Sequence, residues 1–311
     1  MSLGSTVATR AVVNRSLRSS GTDWRGLAFQ AVLLLSLLFA LATLAVLVID
    51  IVSRGLPVLA ERGGDFLTSN LSSRAGSAGI WQGIYGSLLI AIFVAVFAIP
   101  IGVMTAVYLE EYATDGRLTR FITVNIRNLA GVPSVVYGLL GLAVFVPLTQ
   151  TIGGGTGRSI LSASITLACL VLPIVIITSS EALRAVPGAL REAGYGVGAS
   201  RWQVTRSLVL PAAIPGILTG TILSISRALG ESAPLIVIGA SYTFFSTGQQ
   251  DAISQLFGSF TALPVIVFGW SSRPETDFRA LTAATIIALL GVTLAANTIA
   301  IYLRNRFELK W

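Results

Sequence analysis

The sequence predicts an all-α polytopic membrane protein with six transmembrane helices. The chain of 311 residues is 54% hydrophobic and only 11% charged, whereas a soluble domain is about 25% charged. Its apolar residues form blocks of roughly 17 or more, long enough for a helix to cross a hydrocarbon core of about 30 Å. The chain lacks the alternating polarity that is typical of a transmembrane β-barrel. Because spanning backbone must satisfy its own hydrogen bonds, the blocks are interpreted as helices.

The first two elements are a polar tail, residues 1–26, and a first span over residues 27–49. This apolar run is longer than the hydrophobic region of a secretory signal, and no small-residue cleavage site follows it. We therefore expect the span to be retained. The segment that follows is expected to be an external loop. Residues 27–79 then form one unit, and residues 80–311 form a five-helix permease core.

Five further apolar runs predict the remaining spans. An external segment separates the fifth and sixth predicted spans. Its apolar part, residues 256–270, is interrupted by Gly258, Pro264 and Gly269. It is too broken for a seventh span, and we expect an interfacial or re-entrant piece. The five spans are residues 81–109, 133–149, 160–179, 212–240 and 280–303.

The distribution of basic residues predicts the orientation. Six spans place both termini on one side, and loops rich in Lys and Arg face the cytoplasm. With cytoplasmic termini, most of the 21 basic residues lie inside or at the inner helix ends; those outside are Arg54, Arg62, Arg74, Arg158, Arg273 and Arg279. The net charge of +7 is spread beside the apolar blocks and forms no separate basic domain, so nucleic acid is not an expected partner.

Residue types that commonly build catalytic and metal sites are absent or scarce. The chain has no His, and its one Cys, Cys169, lies in an apolar run, so a disulfide, a Cys/His metal site and a histidine base are excluded. A Walker A loop needs a Gly-Lys pair, but the only Lys is Lys310 and none follows the Gly-rich turn at residues 153–157. We expect no catalytic residues, metal or cofactor here. If transport is ATP-driven, a separate chain binds the ATP.

The segment between the fourth and fifth spans has a distinctive spacing. It contains a Glu-Ala-Gly triplet, then Gly after three residues, then Leu-x-Leu-Pro after nine more: Glu192, Ala193, Gly194, Gly198, Leu208, Leu210 and Pro211. It resembles the EAA loop of binding-protein-dependent ABC importers, which differs in having Ala and Ile where this chain has Gly194 and Leu208. The resemblance implies a helix-turn-helix within residues 181–211 that couples to a separate ATPase. The alternative is a solvated loop without a partner.

The fifth span contains two charged residues. Arg227 and Glu231 are four residues apart, on one predicted helical stripe with Gly220, Ser224 and Leu235. A charge within the bilayer costs at least about 2.5 kcal/mol, which marks it as a candidate functional residue. A guanidinium matches a tetrahedral oxyanion, and a carboxylate can accept a proton from monobasic phosphate but not from sulfate. Arg227, Glu231 and Ser224 are therefore candidate substrate-pathway residues. The alternative is an ion pair that only positions helices.

Two further segments narrow the resemblance. Ser-Arg-Ala-Leu-Gly-Glu-Ser-Ala-Pro-Leu at residues 226–235 and Ala-Gly-Val-Pro-Ser-Val-Val-Tyr-Gly at residues 130–138 are similar to signatures of phosphate importer permeases. The ending at residues 302–307 and the Ala-Pro-Leu triplet favour the PstA-type subunit over the PstC-type. The resemblance covers about residues 80–311. Many relatives have Arg where this chain has Thr178, so a second pathway arginine is not implied.

The resemblance implies a type I ABC importer (MetI-like) permease fold in the bacterial inner membrane. The expected function is that of a non-enzymatic subunit of an ATP-driven phosphate importer. The expected partners, besides membrane lipid, are a second permease subunit (PstC-type), an ATPase dimer (PstB-type) that binds the ATP, and an extracytoplasmic phosphate-binding protein (PstS-type).

Three alternatives stay open at this point. The cargo could be sulfate, molybdate, a peptide or an amino acid, since importers of all these share the EAA loop. An ion-coupled secondary transporter or channel would work without an ATPase, but it predicts internal inverted repeats, and none is recognisable. A membrane sensor or scaffold would leave Arg227 and Glu231 without a reason to lie mid-membrane.

Overall fold

A computed structural model describes residues 24–153, 155–241 and 256–307, and throughout these ranges the chain forms helices and turns without strands. Most of the predicted tail and Lys310 lie outside the described residues. The helices are α1 Trp24–Thr68, α2 Trp81–Val107, α3 Arg117–Ala130, α4 Ser134–Leu140, α5 Val146–Gly153, α6 Ile160–Arg184, α7 Gly188–Gly196, α8 Arg201–Val204, α9 Leu210–Gly230, α10 Ala233–Ile238, α11 Leu263–Ser271 and α12 Thr276–Phe307.

Six helical stretches are long and apolar enough to cross a membrane, which confirms the predicted all-α, six-span fold. π-helical turns extend or join some of these helices, at Tyr108–Tyr112 after α2, Gly141–Phe145 between α4 and α5, and Thr205–Val209 between α8 and α9. The spans are Trp24–Thr68, Trp81–Tyr112, Ser134–Ile152, Ile160–Arg184, Arg201–Gly230 and Thr276–Arg306.

The helix α1 belongs to two compact units, one ending at Asp50 and the other beginning at Ile51. In the first unit, the apolar side chains of α1 are exposed, among them Leu34, Phe39 and Leu44. In the second unit, the helix continues to Thr68 where the sequence predicts an external loop. Its final turns are apolar on one side, and Phe66 is buried against Trp270 and Phe278. The burial of Phe66 explains why the helix extends beyond the end of the predicted span.

The fifth predicted span is broken, which corrects the expectation of one helix over residues 212–240. Helix α9 ends at Gly230, and Glu231 has extended backbone angles (φ −78°, ψ 122°). The chain restarts as α10, with Pro234 in its first turn. Proline lacks the N–H that an uninterrupted helix would need there, and it disfavours helical angles in the residue before it.

The segment predicted to be interfacial or re-entrant contains the short helix α11. Its nine residues span about 14 Å, too little to cross a bilayer. It packs against α2 where two glycines let it approach: a Cβ at Gly83 would collide with Ile266, and one at Gly86 with the Thr261 carbonyl. Ser87 Oγ accepts a hydrogen bond from the Leu263 N–H at 2.9 Å, so α2 satisfies one of the free amides that begin α11.

The packed centre of the second unit is the pair α2 and α6. Gly102 lets α2 approach α6 so closely that a Cβ there would lie 2.6 Å from Val175 Cγ1. Side chains of α4, α10 and α11 complete this central cluster. A separate cluster at the α7–α9 end includes Leu183, Val204 and Val209. The residues around the break in the fifth span therefore pack into the central cluster, and the segment between the fourth and fifth spans packs into the separate cluster.

Candidate translocation site and coupling loop

The two segments that resemble phosphate permease signatures pack directly on each other. The first, residues 130–138, leads into α4; the second, residues 226–235, crosses the break between α9 and α10. A Cβ at Gly138 would lie 2.8 Å from the Pro234 Cα and 3.0 Å from the Val237 Cβ. Only glycine permits this approach, so the two sequence patterns describe one structural site.

The charged pair of this site lies at the break in the fifth span. Arg227 is in the last turn of α9, and Glu231 follows the end of that helix. Arg227 Nε is 3.5 Å from Glu231 Oε1, and the side chains are 46% and 20% exposed. A strong guanidinium–carboxylate hydrogen bond would measure about 2.8 Å. The pair is therefore an ion pair at long range, and it leaves guanidinium donors available to another anion.

The predicted polar stripe does not exist as one helical face. Ser224 is buried, and its hydroxyl donates to the Gly220 carbonyl at 2.9 Å. Gly220 itself faces α6, where a Cβ would collide with Thr178. Leu235 is buried on α10, beyond the break. The structure keeps Arg227 close to Glu231 but does not bring Ser224 to their exposed surface.

Two polar features near the pair were missed from the sequence. The Tyr137 hydroxyl donates to the Leu129 carbonyl at 2.9 Å, and the residue is next to Gly138, which packs on Pro234. Ser226 and Asn297 approach to 2.5 Å between oxygen atoms, joining α9 to α12. An Asn within the apolar run at residues 280–303 is the sequence signal that could have indicated the second contact, since polar groups hold membrane helices together.

The segment between the fourth and fifth spans forms the helix-turn-helix that the resemblance implies. Helix α7 ends in a tight turn, and the helical stretch Arg201–Gly230 follows, starting earlier than the predicted span at residue 212. Gly198 has φ +83°, and its N–H donates to the Tyr195 carbonyl at 2.9 Å, while the Ala199 N–H donates to the Gly194 carbonyl at 3.1 Å. These two bonds make a Schellman motif, which places a left-handed residue just past a helix end. The next helix begins at Arg201, and its N-cap Ser200 forms a capping box with Gln203.

Gly194, the main departure from the EAA pattern, is buried where the two helices meet. A Cβ at this position would lie 2.8 Å from Val204 Cγ2 and 2.9 Å from Leu208 Cδ1. The branched ends of those side chains fill the space that an alanine methyl group would occupy. The loop also exposes apolar groups, with Val197 84% and Trp202 55% exposed. Glu192 and Ala193 are exposed as well.

An ion pair with a buried acid anchors this loop to the second span. Arg191 Nη2 is 2.7 Å from Glu111 Oε1, and the guanidinium also donates to the carbonyls of Val186 and Leu183, at 2.8 and 2.9 Å. The Glu111 side chain is 4% exposed. The neighbouring acid, Glu110, pairs with Arg184 at 2.7 Å. The sequence indicated Arg191 only as a topology charge, because its acidic partner is 80 residues away.

Comparison with known proteins gives one family and several relatives. A family model described as "Binding-protein-dependent transport system inner membrane component" matches residues 98–309. The chain is 34% identical to the phosphate transport system permease protein PstA 1 of Mycobacterium tuberculosis over 75% of this chain and 74% of the relative. It is 30% identical to the phosphate transport system permease protein PstA of Haemophilus influenzae, over 84% and 87%. It is 36% identical to a probable ABC transporter permease protein, YqgI, of Bacillus subtilis, over 75% and 81%.

Two solved structures share the fold. The bacterial alginate ABC transporter, in complex with its alginate pentasaccharide-bound periplasmic protein, matches with a TM-score of 0.63 and 15% identity, over 90% of this chain and 96% of the other. An amino acid ABC transporter crystallised with histidines matches with a TM-score of 0.52 and 18% identity, over 73% and 93%. Both agree with the predicted ABC importer permease fold.

Proposed function

Because this chain belongs to the family of inner membrane components of binding-protein-dependent transport systems, we propose that it forms part of the pathway by which an ATP-driven importer moves inorganic phosphate. Its described part is a multi-span membrane permease, and its relatives are transporter permease subunits. The observation that carries the proposal is the half-exposed Arg227 guanidinium at the broken fifth span, held by Glu231 at 3.5 Å.

The chemistry of this pair supports phosphate as the cargo. A half-exposed guanidinium facing lipid would be very costly, so Arg227 faces protein or a water-filled path. Its free donors can bind two oxygens of a tetrahedral anion. Glu231 balances the positive charge while the site is empty and accepts a hydrogen bond from a protonated phosphate oxygen. Relatives from several bacteria are named phosphate transport permeases.

The segment at residues 181–211 is assigned to coupling with a separate ATPase. The residues in this role are Glu192, Ala193, Gly194, Gly198, Leu208, Leu210 and Pro211. What supports the assignment is the rigid helix-turn-helix with exposed Val197 and Trp202, which offers an apolar surface to a groove on a partner. The partner ATPase pair binds the ATP, and the chain itself holds no cofactor.

The remaining partners follow from the family's architecture. A second permease subunit completes the pathway, and an extracytoplasmic binding protein delivers the phosphate. Both termini and the coupling loop lie in the cytoplasm, on the side favoured by the basic residues. The sequence-based unit boundaries, residues 1–26, 27–79 and 80–311, are kept as the domain proposal.

The test is phosphate uptake by the assembled importer carrying Arg227→Gln. Loss of a charge-assisted contact to the anion should lower uptake by about tenfold or more. The control is Arg74→Gln, which removes an exposed arginine outside the site and should leave uptake unchanged. Normal uptake in Arg227→Gln, with normal amounts of complex in the membrane, would show that the pair is a structural ion bridge. Replacing phosphate by sulfate or molybdate tests the other cargos.

A further inference from the structure

A second basic site lies away from the Arg227 pair, around helix α3. This helix is tied at both ends to membrane spans, since the span Trp81–Tyr112 ends just before it and the span Ser134–Ile152 begins just after it. Only residues 113–116 and 131–133 separate it from them. With its 14 residues, α3 is about 21 Å long. Such short connections hold it at the level of the membrane surface.

The helix α3 is amphipathic in the manner of an interfacial helix. One face, with Ile122, Thr123 and Ile126, is half-buried against the protein. The remaining surface exposes large apolar side chains, among them Leu118 and Phe121, next to exposed arginines. A helix that combines exposed apolar and basic side chains lies in the plane of the membrane interface, with its apolar groups among the lipid chains.

Beside α3 is an open cleft of about 840 Å³ that carries an excess of positive charge. Four arginines and two acids line it: Arg117, Arg120, Arg127, Arg184, Glu110 and Asp115. The Arg184 guanidinium is already paired with Glu110. For Arg117, Arg120 and Arg127, the described part of the chain supplies no hydrogen bond or ion pair to the guanidinium groups. Their donors point to an anionic ligand from outside the chain.

We propose that this cleft binds the phosphate headgroup of an anionic phospholipid. Arginine donors form paired, charge-assisted hydrogen bonds with phosphate oxygens, and basic pockets at the cytoplasmic ends of spans suit such headgroups. The exposed Leu118 and Phe121 select a lipid over a soluble anion, because they offer the acyl chains an apolar surface beside the basic groups. The site is independent of the cargo assigned to Arg227.

The test measures the lipid that copurifies with the assembled importer from membranes containing phosphatidylglycerol and phosphatidylethanolamine. The double variant Arg120→Gln/Arg127→Gln should retain about tenfold less phosphatidylglycerol, with no change in phosphatidylethanolamine. The matched control, Arg25→Gln/Arg306→Gln, removes two exposed arginines from other helix ends and should retain as much as the wild type. Equal retention in the double variant and the control would overturn the proposal.

A second variant separates a lipid from a soluble anion. Phe121→Gln keeps every arginine, so it should lower phosphatidylglycerol retention, whereas a site for free phosphate would be unaffected. Binding of radiolabelled inorganic phosphate to the delipidated complex that is lost in Arg120→Gln/Arg127→Gln but kept in Phe121→Gln would contradict the lipid assignment. The double variant could instead lose the second permease subunit while lipid retention per complex stays unchanged. That result would identify the cleft as a protein contact and would also overturn the lipid proposal.

Discussion

Gly198 is the residue on which the shape of the coupling loop depends. Its φ of +83° is a left-handed conformation that costs a residue with a Cβ about 1–2 kcal/mol, and more when the side chain is β-branched. We expect Gly198→Val to insert into the membrane but to uncouple ATP hydrolysis from phosphate uptake, because the turn can no longer hold the two helices in register. The measurement is uptake and ATPase rate in the same vesicles.

The matched control for this change is two residues away. Gly196 also has open space around its Cα, but its φ is not positive. Gly196→Val adds the same side chain to the same loop without the left-handed penalty, so coupling should be largely kept. Normal uptake in Gly198→Val, with the ATPase still bound, would remove this turn from the mechanism.

Glu231 allows a different prediction about anion release. Glu231→Gln keeps the size of the side chain but removes the charge that balances Arg227 at 3.5 Å. Phosphate should then bind more tightly and leave more slowly, and a transport site must let its ion go. We expect a lower maximal uptake rate together with a lower half-saturating concentration. A lower rate with an unchanged half-saturating concentration would contradict this role.

At the same scale, Thr178, where the resemblance does not imply a second pathway arginine, packs against α9: a Cβ at Gly220 would collide with its side chain. An arginine side chain there would need the two helices to separate. Only the packing shows that Thr178 and Gly220 occupy one tight contact.

At the scale of elements, two neighbouring acids in one π-helical turn give a matched pair of ion bridges. In the pair of Arg191 with Glu111 the acid is buried and the arginine is 23% exposed, whereas in the pair of Arg184 with Glu110 the arginine is 55% exposed. Removing one partner of a buried pair costs about 3–5 kcal/mol, since the other charge is stranded; an exposed pair contributes under about 1 kcal/mol. Arg191→Leu should therefore unfold the loop far more readily than Arg184→Leu.

The measurement for this pair is the fraction of solubilised complex that stays assembled after a heating series. We expect a clearly lower midpoint temperature for Arg191→Leu and a midpoint near wild type for Arg184→Leu. The double variant Arg191→Leu/Glu111→Leu should recover part of the loss, because no charge is left unpaired. Equal midpoint temperatures for the two single variants would contradict this prediction, because they would mean that water also screens the charge of Glu111.

The elements also show where prediction from sequence ended. The helix-turn-helix could be predicted from the resemblance to the EAA loop, because that pattern is local in the sequence, and Gly198 takes the left-handed turn. Pro211 marks no boundary, since it lies inside the helical stretch Arg201–Gly230. The break after Gly230 was missed because the apolar run continues through it, although a Gly followed closely by Pro234 is the usual stop signal. Helix α11 could be excluded as a span by its glycines and proline, but its burial depends on Gly83 and Gly86, which are distant in sequence.

For the whole molecule, the six spans were predictable because hydrophobic length alone decides them. The packing of the two signature segments on each other was not predictable, because the contact of Gly138 with Pro234 depends on how α4 and α10 meet. The pairing of Arg191 with Glu111 is likewise tertiary. Local chemistry therefore identified the candidate residues, and packing decided which of them share a surface; Ser224, predicted on one stripe with Arg227, is buried and donates to the Gly220 carbonyl.

The distribution of basic residues predicts the orientation of the whole molecule in the membrane. Cytoplasmic loops are rich in Arg and Lys, which places the termini and residues 181–211 inside and residues 69–80 outside. In a Cys169→Ala background, Ala189→Cys and Ser73→Cys put single thiols at exposed positions on the two predicted sides. A membrane-impermeant maleimide should label only Ser73→Cys in intact cells, and both after permeabilisation. Equal labelling of Ala189→Cys in intact cells would place the loop outside, where no ATPase could reach it, and would remove both the orientation and the coupling role together.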